Sequence, residues 1–87
     1  MKHVRIILEN DDRKQFCCIL QKASDYTEQF EKVWDVKKGY GFSVECYADR
    51  VELRDYFAGE TRATFRIMSM EETDEPVSYR LQKIERQ

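Results

Sequence analysis

The chain holds three glycines, one proline and one histidine among its 87 residues, and it has no long apolar run. Each scarcity removes a class of function. Three glycines do not make the glycine-rich loops that cradle nucleotide phosphates. The lone imidazole, His3, has no second histidine to share a metal with. No serine or cysteine is held to it by a third orienting group, so a nucleophile and base pair is not expected. Cysteine occurs three times, with Cys17 and Cys18 adjacent. Neighbouring residues point roughly 100° apart on a helix, or to opposite faces of a strand. Only one of that pair can therefore join Cys46, which argues against zinc and against a disulfide framework, and for reduced, buried thiols. The longest uninterrupted apolar stretch, Phe16 to Leu20, is far shorter than the roughly 20 residues that span a bilayer. The N-terminus enters a strand-like alternation rather than an apolar leader. Neither export nor membrane insertion is expected, and the cytoplasm is the expected location.

What is present is a core's worth of apolar residues under a dense layer of charge. Hydrophobic residues make up 41% of the chain, with five Tyr, five Phe and one Trp, and 37% of residues are charged. The regular spacing of the apolar positions separates this composition from that of a disordered chain. Residues 1–87 are expected to form a single domain. The formal net charge is −2, too small to draw the whole molecule to nucleic acid or to an anionic membrane. Six of the seven lysines lie in the first 38 residues, while ten acids face seven bases from Glu45 onward, a bias that solvated surfaces commonly show.

Val4, Ile6 and Leu8 alternate with Arg5 and Glu9, which predicts a first strand over residues 3–9. Asp12 followed by Gln15 has the form of a capping box, and Phe16, Leu20, Ala23, Thr27, Phe30 and Trp34 then recur at steps of three and four. This favours one long helix ending near Gly39, which would be its C-cap after Lys37 and Lys38. The competing reading pairs residues 3–9 with 14–20 as a hairpin and starts a shorter helix at Ser24 or Asp25. Strands are then expected around Phe42 to Tyr47, Val51 to Arg54, Ala63 to Met68 and Val77 to Leu81. The turns between them fall near Ala48 to Arg50 and at Ala58 and Gly59, and an acidic loop runs from Glu71 to Glu75, ended by Pro76.

The fold class is therefore α+β. An antiparallel sheet of about five strands, in the order β-α-β-β-β-β, packs on one amphipathic helix; the alternative is β-β-α-β-β-β-β with a shorter helix. Short connections imply a meander with one buried face. A strand, a long helix and four strands is an order that resembles cystatin-like folds. Ala48-Asp49-Arg50 stands where the inhibitory loop of that family carries a Gln-Val-Val-Ala-Gly-like run, and fold likeness by itself carries no function.

Lys38-Gly39-Tyr40-Gly41-Phe42 matches the opening of the RNP1 signature of RNA-recognition motifs, in which aromatic rings stack bases and a basic residue meets phosphate. Ser43 and Glu45 then depart from the signature, and no second helix follows. Contacts from Lys37, Lys38, Tyr40 and Phe42 to a single strand are the alternative reading, and direct nucleic-acid binding is not expected. Asp11 and Asp12 are explained by a helix start or a hairpin turn.

The favoured expectation is a non-enzymatic protein-binding module: a small inhibitor, immunity or adaptor protein, similar in size and charge to phage anti-defence and bacterial immunity proteins. No catalytic residue, cofactor or metal is expected in it. Its contact residues would be Glu45, Glu52, Glu71, Glu72, Asp74 and Glu75, on the outer sheet face and the acidic loop. Carboxylates so placed suit a basic partner, such as a nucleic-acid-handling protein.

Overall fold

The computed structural model describes residues 2–37 and 41–85. Six strands and one helix follow one another as β1 (His3–Glu9), β2 (Gln15–Gln21), α1 (Thr27–Val33), β3 (Phe42–Cys46), β4 (Arg50–Asp55), β5 (Glu60–Thr73) and β6 (Ser78–Lys83). The α+β class stands, while the strand count and order differ from the favoured expectation. Residues 15–21 are a strand, and the element order is that of the competing reading.

The reason lies in the turn. The Asn10 side-chain oxygen accepts the backbone N–H groups of Asp12 (3.0 Å) and Lys14 (2.9 Å), and Arg13 takes the left-handed region at φ 61°. That chemistry closes a hairpin and denies Asp12 a capping role. The helix begins later, where Asp25 accepts the Thr27 N–H (2.9 Å) and hydroxyl (2.7 Å). It ends at Val33, with Asp35 at φ 51°. Gly39, the expected C-cap, lies outside the described residues.

The strands are not a meander. Their order across the sheet is β3-β4-β5-β1-β2-β6, every pair antiparallel, with β1 near the centre and β3 and β6 at the edges. β5 is long enough to serve two neighbours. Its first half pairs with β4 (Glu60 to Arg66) and its second half with β1 (Arg66 to Thr73), each across a register shift. Such irregularities bend strands, and the sheet curls until α1, lying on its inner face, touches both edge strands. The cystatin-like order is therefore not followed. Glu71 and Glu72 belong to β5, so the expected acidic loop is shorter than its sequence suggested.

Val4, Ile6 and Leu8 from β1, Cys18 and Leu20 from β2, and Val44 and Val51 enclose Phe30, which is fully buried. Trp34 is half-buried, its ring 5.4 Å from Phe30 and 5.1 Å from Phe65 between centroids. Among the described residues no helix is long and apolar enough to cross a membrane.

Candidate functional site

The β4–β5 connection, residues 56–59, carries the two most exposed large apolar side chains among the described residues, Tyr56 (69%) and Phe57 (86%). Asp55, the last residue of β4, holds the loop in place. One carboxylate oxygen accepts the N–H groups of Phe57 (3.0 Å) and Ala58 (3.2 Å), and the other accepts from the Arg62 guanidinium at 2.9 Å. Only 8% of Asp55 is exposed. The Arg62 hydrogen bond, followed by the Ala58 N–H, holds its carboxyl below the usual value. Buried and triply hydrogen-bonded, this carboxylate ties the loop backbone to Arg62.

Gly41 completes the arrangement. Its φ of +82° is one that side-chain-bearing residues rarely adopt, and a β-carbon built there would overlap the Phe57 ring. The ring thus lies over bare backbone beside β3. Phe42 follows, 47% exposed, although its place in the alternation predicts burial.

Phe42 stands between two open clefts. One, about 500 Å3, is floored by Trp34, Val36 and Leu53 and rimmed by Asp35, Lys37 and Arg62. The other, about 390 Å3, runs from Glu31 past Gly41, Ser43 and Val44 to Tyr56 and Phe57. Ser43 has a buried hydroxyl without a hydrogen-bond partner. A third opening, about 500 Å3 with Ile6, Asp25, Cys46 and Met70 in its wall, lies at the helix N-terminus.

The expected acidic contact residues do not come together. Glu45 and Glu52 are directly opposite on β3 and β4. The Tyr47 hydroxyl (2.6 Å) and Arg54 (3.8 Å) meet Glu45, while Arg50 holds Glu52 at 2.7 Å. Glu52 faces Thr64 on β5, seven residues before Glu71, a distance of roughly 23 Å along a strand. At that far end Glu72 pairs with Lys22 (2.6 Å) and Lys2 (3.7 Å), and Glu75 pairs with Arg5. The Lys22 hydrogen bond lowers the Glu72 carboxyl below its ordinary value. Glu71 lies opposite Arg5 in the register, and neither it nor Asp74 makes an ion pair among the described residues.

Of the alternative nucleic-acid contacts, Lys37 and Phe42 line the cleft with Trp34, while Lys38 and Tyr40 lie outside the described residues. Tyr56 and Phe57 are the residues that sequence reasoning passed over. The signal was there: two adjacent aromatics between an acid and a glycine, in a turn where no strand face can bury them. Among the described residues no group of three or more His, Cys, Asp or Glu could hold a metal ion. No family model, no curated protein and no solved structure matches this chain.

Proposed function

We propose that the chain is a non-enzymatic protein-binding module, of the small inhibitor, immunity or adaptor kind, that engages its partner through the aromatic end formed by Phe42, Tyr56 and Phe57. The observation that carries this reading is the exposure of Phe57. A buried, triply bonded Asp55 and a bare Gly41 hold an apolar ring out in water. Holding an apolar ring in water is unfavourable, and burial against a partner would offset that cost. Large aromatics beside an arginine are also the side chains that dominate contact energies between proteins. The carboxylates are secondary, since most are neutralised within the chain. Glu71 and Asp74 remain to steer a basic partner, such as a nucleic-acid-handling protein, toward the module.

The test is capture from an extract of the native host on the immobilised protein, compared with the Tyr56→Ala/Phe57→Ala double variant. Loss of a specific partner with an unchanged melting curve supports the reading. Equal capture by both proteins contradicts it. Tight binding of a labelled single-stranded oligonucleotide, lost in Phe42→Ala, would replace it with the nucleic-acid reading.

A further inference from the structure

The two edges of the sheet differ. β6 carries Arg80 and Lys83, and its pairing with β2 is irregular between Cys17 and Ile19. Long basic side chains and irregular pairing are the usual protections of an edge strand. β3 has neither: its sequence is Phe42-Ser43-Val44-Glu45-Cys46, and its register with β4 is unbroken.

Hydrogen bonds at both ends of the β3–β4 pair fix which backbone groups point outward. The Tyr47 N–H donates to Arg50 C=O (2.8 Å) and the Tyr56 N–H donates to Gly41 C=O (2.7 Å). Bonded pairs alternate in an antiparallel ladder, so Ser43 and Glu45 bond to β4. The N–H and C=O groups of Phe42, Val44 and Cys46 face the open side.

We propose that this edge pairs with β3 of a second copy of the chain, antiparallel, with Val44 on the two-fold axis. The inference goes beyond the reading of the aromatic end as a protein-contact surface and concerns the strand edge beside it. In this register Val44 meets Val44 of the second copy, and Phe42 meets Cys46. All outward groups of the three residues are bonded on both sides. Ser43 stands opposite Glu45, so no two like charges meet, whereas moving the axis to Glu45 would set two carboxylates face to face at the closest spacing. One position further along, Gly41 lies opposite Tyr47 of the second copy. Directly opposed residues project to the same face, and at Gly41 that face holds the Phe57 ring. The exposed Tyr47 (38%) would therefore pack against the exposed Phe57 (86%), once at each end of the shared ladder. The self-complementary contact closes as a two-fold dimer instead of growing into a fibre.

Sedimentation equilibrium over a concentration series tests this. The apparent mass is expected to rise from that of the 10.5 kDa chain toward twice that value. Phe42→Pro should abolish the rise, because its ring nitrogen replaces an N–H that faces the open side and blocks strand addition, a change edge strands tolerate. Phe42→Ala keeps that N–H and should retain self-association. Amide exchange on the unaltered protein needs no variant: exchange at Phe42, Val44 and Cys46 should slow as concentration rises. A single-chain mass at every concentration overturns the second copy as occupant, as does self-association that Phe42→Pro leaves intact or that leaves those three amides unprotected. Neither result touches the capture experiment, which tests the aromatic end separately.

Discussion

The ring of Phe57 occupies the space that the missing side chain of Gly41 leaves open, which joins the β4–β5 loop to the edge strand. Gly41→Ala should disturb both partners. The new β-carbon collides with the ring, and the left-handed φ of +82° costs a non-glycine residue about 1–2 kcal/mol on its own. In a double-mutant cycle with Phe57→Ala, the collision should be relieved and the backbone cost should remain. A fully additive cycle would show that ring and glycine are independent.

Asp55 should make loop order depend on pH. Its carboxyl is held below the ordinary value of 3.8, chiefly by Arg62. A group with a depressed folded value contributes its full stabilisation above the unfolded value and loses it as pH falls through the folded one. The contribution of Asp55 should therefore be level above pH 5 or so and decline in acid, with Glu9 and Glu72, depressed by Arg66 and Lys22, adding to the decline. Asp55→Asn should flatten part of that decline and lower the melting temperature at neutral pH, as followed by circular dichroism.

Burial pushes the Cys18 thiol up to about 12, with the neighbouring Cys17 adding to the shift. The fold thus keeps a proton that the unfolded chain releases above the ordinary value of 9.0, and stability should drop as pH rises from there. Cys18→Ala should remove that component. At neutral pH an alkylating reagent should leave Cys18 unmodified until denaturant is added.

Phe30 and Trp34 stand one helical turn apart but should not be equivalent. Phe30 is fully enclosed, and Phe30→Ala should cost about 3–5 kcal/mol in a denaturant titration, a large share of the stability of a domain this size. Trp34 is half-exposed beside the apolar cleft, so Trp34→Ala should cost less.

How much of this was legible follows from particular residues. β1 was plain, because Val4, Ile6 and Leu8 are buried while their neighbours are partly exposed. β2 was not, because Cys18, Ile19 and Leu20 are buried in succession, which erases a period of two and leaves Phe16, Leu20 and Ala23 to imitate a helix. The Asn10 turn held the deciding information, in a side chain that caps backbone groups two and four residues on. The second half of β5 was hidden for another reason. Glu71 and Glu72 disfavour a strand on their own but are tolerated opposite Arg5 and beside Lys2 and Lys22, partners that only the fold brings near. The same partners explain why an acidic contact face looked stronger in sequence than in space. Tyr56 and Phe57 were visible and gained their meaning only when Asp55 was seen to hold them.

The most direct measurement is the salt dependence of the complex captured by the aromatic end. Apolar contacts are little screened, so its dissociation rate should change by less than about tenfold between low and high salt, and neutralising Glu71 and Asp74 together should slow association alone. A complex that falls apart as salt rises, and survives Tyr56→Ala/Phe57→Ala, would contradict the account and return the contact to the carboxylates.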